Sequence, residues 1–383
     1  MRASLIIALS VLALGAGMVE AAPIPPKPPA ARDAMAVQAT TLGRAVAAWQ
    51  LAHMDNFDYT HGHSATPDPR GWVQGAMFLG LAAFAERTGD PVLVQAVRDH
   101  GVQQGWNLGR RPLHADDHVI GQTWLWVYGR DHDPAQIAPL KTRFDAILAD
   151  PPPKADLTFI DGTEDQPCQV RWCWSDALFM GPATWTGLSR ATGDPRYAVY
   201  GDQEFWATTD WLLDKQEGLY YRDSRYFDRR DEQGRKVFWS RGNGWVYAGI
   251  VDILKTLPAD HPSRPRYEAL FRRMSDRLIT LQKPDGYWPP SLLAPEHTPP
   301  ETSGTGFFVY GLAYGLNHGL LKGPRYETAM SKGWNALAVA VQPDGKLGWV
   351  QQIGYAPDHV SADDTQLYGV GAFLLAASEV GAR

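Results

Sequence analysis

The sequence predicts an all-α fold, an (α/α)6 toroid in which six helical hairpins close into a ring. Two observations carry this. Gly75, Gly121, Gly181, Gly244, Gly306 and Gly369 each lead into an aromatic-rich helical stretch, and four of the five steps between them are about 60 residues, the mark of one supersecondary unit copied around an axis. Helix stop and start signals also recur. Thr88-Gly89-Asp90-Pro91 and Thr192-Gly193-Asp194-Pro195 place Gly where one helix ends and Asp-Pro where the next begins, with looser versions at His132-Asp133-Pro134 and Gly323-Pro324.

The elements follow in order. The first outer helix, about 34–54, carries Met35, Ala39, Leu42, Val46 and Trp49 at helical spacing. Further outer helices are expected at 91–105, 134–149, 195–214, 264–283 and 324–341, several opening on an Arg-Tyr pair such as Arg196-Tyr197. Inner helices are expected at 71–87, 118–130, 175–192, 243–256, 305–320 and 364–380. Strand signals are few: Gly218–Tyr226 reads as a hairpin arm with Val237–Ser240 as its partner. The long connections, including 151–175, 215–242 and 284–304, all precede inner helices, so they converge on one rim, where a pocket is expected.

The chain has 383 residues, and the repeat argues for one domain over 34–383. A net charge of −6 argues against a broad nucleic-acid surface, while leaving room for a small ligand, even an anionic one met by local cations. Arg2, the apolar run Leu5–Met18 and the small-residue site Val19-Glu20-Ala21 read as a secretory signal over 1–21, followed by a Pro-rich linker over 22–33. The expected location is secreted or periplasmic, with no membrane partner once the signal is removed. Oligomeric state is open. Cys168 and Cys173 share one loop and would either bridge or stay as two thiols. Of the 15 tryptophans, Trp172, Trp174, Trp239, Trp245, Trp288 and Trp349 fall in polar or glycine-rich segments, where flat rings would suit the C–H faces of a sugar.

Several side chains in these segments could carry chemistry. Asp176, set among indoles and Phe179, is placed to be a desolvated general acid; the alternative is a carboxylate complementing a helix dipole. Asp116 and Asp117 open the second inner helix, as a capping pair or as a partner for Asp176 across the pocket. In Phe238-Trp-Ser-Arg-Gly-Asn-Gly-Trp245, Arg241 offers a fork for a carboxylate and Asn243 an amide or a cap. Glu301-Thr-Ser-Gly-Thr-Gly306 adds the hydroxyls of Thr302, Ser303 and Thr305. His61-Gly-His63 lacks a third ligand at metal spacing, so His61 is read as a loop residue near the pocket.

Taken together, Trp174-Ser-Asp-Ala-Leu-Phe-Met-Gly-Pro182, Trp239-Ser-Arg-Gly-Asn-Gly-Trp245 and Glu301-Thr-Ser-Gly-Thr-Gly306, in this order, resemble glycoside hydrolase family 105, which is related to family 88. The likeness runs over about 40–380, including Pro343-Asp-Gly-Lys-Leu-Gly-Trp349 and Tyr368-Gly-Val-Gly-Ala-Phe373. It implies an (α/α)6 unsaturated uronyl hydrolase acting, without cofactor or metal, on small oligosaccharides already cut by polysaccharide lyases. The implied reaction hydrates the C4=C5 enol ether of the terminal uronic acid: an Asp protonates C4, water adds at C5, and the hemiketal opens to release a 5-keto sugar. By the same resemblance, Asp176 is the acid/base and Asp117 the second carboxylate, with Asp116 in reserve. Arg241, Asn243, Trp245, Trp172, Trp174, Thr302, Ser303 and Thr305 would meet substrate. Arg222 stands where many members carry His, a departure at the substrate subsite. A polysaccharide lyase, another glycosidase or a non-catalytic sugar-binding protein on the same toroid is the alternative.

Overall fold

A computed structural model describes residues 31–61, 63–154, 156–160, 166–296 and 299–382. The expected signal and the linker up to residue 30 lie outside them, as do Asp161, Glu164 and Asp165.

All twelve expected helical stretches form, one of them in two pieces. The outer helices are α1 (Ala31–Ala52), α3 (Pro91–Gln103), α5 (Ala138–Ala149), α8 (Pro195–Leu212), α10 (Arg264–Ile279) and α12 (Pro324–Val339). The inner helices are α2 (Trp72–Thr88), α4 (Ile120–Asp131), α6 (Ala177–Met180) with α7 (Pro182–Thr192), α9 (Ser240–Thr256), α11 (Thr302–Asn317) and α13 (Leu367–Val380). The split in the third inner helix falls at Pro182, which has no N–H for the Leu178 carbonyl one turn back. The caps follow the sequence signals. Gly89 and Gly193 take left-handed φ of 63° and 75°, while Asp90 and Asp194 accept from the backbone N–H of Val92 and Arg196.

Each inner helix packs on the next, α2 on α4, α4 on α7, α7 on α9, α9 on α11 and α11 on α13, and α13 returns to α2 to close the ring. The closing contact is made backbone to backbone. A Cβ on Gly371 would lie 2.3 Å from the Ala76 carbonyl oxygen, and one on Gly80 would lie 2.3 Å from the Gly371 oxygen. Gly371→Ala is therefore expected to lower the urea unfolding midpoint, because a backbone oxygen cannot step aside as a side chain can. The loss should be about 1–3 kcal/mol, as for overpacking elsewhere, despite the better helix propensity of Ala.

Two expectations about strands and rings are corrected. Leu219–Tyr220 pairs antiparallel with Leu213–Asp214, at the end of α8, and not with Val237–Ser240. Trp239 instead bridges to Ser291. The tryptophans expected to face a sugar are largely core: Trp172, Trp239, Trp245 and Trp288 are fully buried and Trp174 nearly so. Trp245, Phe179 and Phe307, from three inner helices, pack against one another at tilted angles with centroids 4.4–5.6 Å apart and plug the axis.

Candidate active site

The rim formed by the N-terminal ends of the inner helices gathers three charged groups that water still reaches. Asp176 precedes α6 and is half-buried. Asp116 sits in a 3-10 turn (Ala115–Asp117) before α4 with 17% of its side chain exposed, and Arg222 follows the short strand with 12% exposed.

Two devices position Asp176. A Cys168–Cys173 disulfide, with Cα atoms 5.6 Å apart, closes the loop just upstream, so the open question about the thiols resolves to a bridge. Trp172 inside that loop takes a left-handed φ of 55°. The Ser175 N–H then donates to the Arg222 carbonyl at 2.8 Å, tying the loop of the carboxylate to that of the guanidinium. The Ser175 hydroxyl donates to Asp176 Oδ2 at 2.9 Å. Replacing both cysteines with Ser is expected to lower stability by about 2 kcal/mol in a thermal melt, the chain-entropy value for so short a loop.

Burial pushes the Asp176 carboxyl up, while Arg222, the Ser175 hydroxyl and Arg241 pull it back. Asp116 is raised as well, to about 7. Burial is the largest cause, Arg111 opposes it, and the charges of Asp117 and Asp176 push the same way as burial. The charge of Asp176 thus acts on Asp116, and two carboxylates that interact in one desolvated site titrate as a pair.

Asp117, expected to be the second carboxylate of the pocket, lies elsewhere. Its carboxylate accepts the Arg111 backbone N–H at 2.5 Å and the Arg111 side chain at 3.1 and 2.9 Å. Burial alone would raise its pKa, but these bonds hold it below the usual carboxylate range. It packs on Gly109, where a Cβ would fall 2.5 Å from the Asp117 Cγ. Asp117 holds the turn, and Asp116 is the carboxylate it presents. His114 backs Asp116, accepting its backbone N–H at 3.3 Å; burial keeps the imidazole neutral, with its pKa down to about 3.

Other side chains expected to meet substrate are committed to the protein. Arg241 is 1% exposed, lies over the rings of Trp239 and Tyr368, and donates Nη1 and Nη2 to the carbonyls of Gln351 and Gln352 at 2.9 Å each. It acts on Asp176 as a buried positive charge from beneath. Asn243 latches the strand at Tyr220, accepting its N–H at 2.8 Å and donating to its carbonyl at 3.0 Å. The Thr302 hydroxyl donates to the Gly348 carbonyl, the Ser303 hydroxyl to Glu301, and the Thr305 hydroxyl accepts the Trp288 N–H. All three are buried in the opening turns of α11, whose cap is Glu301. Trp245 and Trp172 are core, and Trp174 packs on His114 at 4.8 Å. His61 is exposed and pairs with Asp364 at 2.9 Å, out on the rim.

Sequence reasoning missed Trp72 and Gln351. Trp72 is a half-buried indole at the first position of α2, stacked on Tyr368 at 5.1 Å. Gln351 accepts from Trp239, donates to Ala356, and lends its carbonyl to Arg241 and Tyr368. A Trp at an inner-helix start was a readable signal; a hub glutamine in an irregular connection was not. Two broad clefts of about 740 and 810 Å3 lie against the outer helices and contain none of these carboxylates.

The chain matches the family described as Glycosyl Hydrolase Family 88 over residues 44–383. It is 43% identical, over 89% of its length and 85% of the relative's, to an unsaturated 3S-rhamnoglycuronyl hydrolase from Alteromonas sp. (strain LOR). A solved structure named as a polysaccharide lyase superposes with a TM-score of 0.77 at 30% identity, covering 90% of this chain and 96% of the other. A possible member of the GH105 family from Salmonella enterica subsp. enterica serovar Paratyphi A shares the fold, with a TM-score of 0.72 at 18% identity, covering 94% and 98%.

Proposed function

We propose a hydration reaction on the premise that the chain belongs to Glycosyl Hydrolase Family 88 and is a glycoside hydrolase. The substrate is a lyase-generated oligosaccharide whose terminal uronic acid carries a C4=C5 double bond, and the relative's name points to a sulfated rhamnose as the neighbouring sugar. The observation that carries the reading is the pair Asp116 and Asp176, both partly buried at one rim and both raised by burial, with the charge of Asp176 acting on Asp116.

Such a pair holds one proton between its two apparent pKa values, which suits addition of water to an electron-rich alkene. In the form of the pair that carries its single proton on Asp176 and leaves Asp116 ionised, the π electrons of the enol ether take that proton to form the C4–H bond. Positive charge develops at C5, shared with the ring oxygen, close to the two carboxylates. Water adds at C5 as Asp116 accepts its proton, so the pair ends with one proton as it began. The C5 hemiketal then opens and the glycosidic bond breaks downstream, with no attack at the anomeric carbon. Arg241, buried beneath, keeps Asp176 from rising too far to ionise afterwards. The leader and the oxidised cysteine pair support an extracytoplasmic location.

One relative is named a lyase, so a lyase reading is the rival. Beta-elimination creates the conjugated double bond and hydration destroys it. The purified protein is expected to remove the ultraviolet absorbance of a lyase-generated unsaturated disaccharide and to leave intact polysaccharide unchanged. A rise in absorbance on the polysaccharide would instead establish the lyase.

A further inference from the structure

The substrate is an anion, and a site with two carboxylates needs a cation to receive it. Of the two guanidiniums that act on Asp176, Arg241 has both terminal nitrogens bonded to backbone carbonyls and almost no exposed surface. Arg222 differs. Its Nη1 donates to Asp223 Oδ2 at 2.6 Å, and its buried Nε has no partner among the described residues. Its charge bears on both Asp116 and Asp176.

Three connections of the ring frame this guanidinium. Its carbon lies 5.3 Å from the Phe159 ring and 5.5 Å from the Tyr355 ring. The main chain behind both rings is pinned: the Phe159 N–H donates to the Ser224 hydroxyl, and the Tyr226 hydroxyl donates to the Tyr355 carbonyl, each at 2.8 Å. Asp223, fully buried, anchors Arg222 and also pairs with Arg225. Tyr355 is nevertheless 60% exposed, an aromatic face standing free at the mouth beside a reachable cation. A ring beside a forked cation is a combination that meets the C–H face of a sugar and an oxyanion attached to it.

We infer that Arg222, framed by Phe159 and Tyr355, forms the anion subsite of this enzyme, taking an oxyanion of the substrate while Tyr355 packs on the sugar that follows. The inference rests on the hydrolase reading for the identity of the substrate, but its geometry stands apart from the chemistry. The oxyanion has two sources, the carboxylate of the unsaturated uronic acid and a sulfate ester on the neighbouring sugar, and the test separates them.

Titration calorimetry in the Asp176→Asn background, where ligand is not consumed, compares Arg222 with Arg222→Gln and Arg222→Lys. The probes are three forms of one unsaturated disaccharide: sulfated on the neighbouring sugar, desulfated, and with the uronate as its methyl ester. Arg222→Gln is expected to raise Kd about 10- to 100-fold on the sulfated form, the range for a lost charge-assisted contact, and Arg222→Lys by less. The penalty should vanish on the desulfated form if sulfate is the source, and on the methyl ester if the carboxylate is. Tyr355→Ala should weaken binding of all three several-fold, with an unchanged thermal midpoint confirming the fold. An Arg222→Gln penalty that is equal on all three forms, or absent, overturns the inference. Failure of the wild-type protein to consume the double bond would overturn the hydrolase reading instead, and leaves the Kd comparison intact as a test of the subsite.

Discussion

Asp176→Asn is expected to lower kcat by at least about 10³-fold on an unsaturated disaccharide while leaving helical circular dichroism unchanged. The amide keeps the shape of the side chain and can still accept the Ser175 hydroxyl, so the loop clamped by Cys168–Cys173 has no reason to move. What it lacks is a proton acidic enough to give to carbon. General acid catalysis is typically worth 10²–10⁴-fold, and among the described residues Asp116 is the other carboxyl raised by burial at this rim. KM should change little, because a neutral amide beside Arg222 does not repel an anionic substrate. Retained turnover in this variant would move the chemistry elsewhere.

Asp116→Asn and Asp117→Asn should separate two adjacent residues that sequence left as alternatives. Asp116→Asn is expected to cost about 10²-fold or more in kcat/KM, as loss of a base does, and Asp117→Asn to leave kcat/KM within a few-fold. Asp117→Asn should instead destabilise the fold by about 2 kcal/mol, since it weakens three bonds to Arg111 at a buried site. The pH dependence follows the same division. The pair needs its one proton, so wild-type kcat/KM should fall as pH rises through about 7, where that last proton leaves the coupled pair. For stability the sign is also set. A carboxyl whose folded pKa is raised contributes stability that is full below its ordinary value of about 4 and lost as pH rises through about 7. Denaturation midpoints of Asp116→Asn should therefore fall less between pH 5 and pH 8 than those of the wild type.

The ring was legible because its signals are local. A Thr-Gly-Asp-Pro turn sets a left-handed cap, an N-cap carboxylate and a proline start without help from distant residues, and twelve helices follow from such rules. Closure of the ring was implied by the period, but not that Gly80 and Gly371 make it. Asp176 and Arg222, read from the sequence as pocket residues, stand partly accessible at the rim, in loops that also lead into inner helices. Sequence reasoning failed where a tertiary partner decides. Asp116 and Asp117 differ only in which way a single turn throws them, and Arg111 with Gly109 makes that choice. The hydroxyls of Thr302, Ser303 and Thr305 look like ligands for an anion, yet α11 enters the core and turns them to Gly348, Glu301 and Trp288. Arg241 and Arg222 are the same residue type at similar places, distinguished by the loop at Gln351 and Gln352 that covers only one of them. Of the motif tryptophans, Trp245 joins Phe179 and Phe307 in plugging the axis and most of the others are core, because six helices around a ring leave a centre that large rings fill.

The most direct measurement is a proton nuclear magnetic resonance time course in D2O, with wild-type protein and Asp176→Asn side by side on an unsaturated disaccharide. For the wild type, the vinylic H4 signal should disappear, deuterium should enter at C4, and the neighbouring sugar should be freed in step; the variant should leave all three unchanged. Release of that sugar while the vinylic signal of the uronic acid persists, or deuterium entering C4 equally fast in both proteins, would contradict the account.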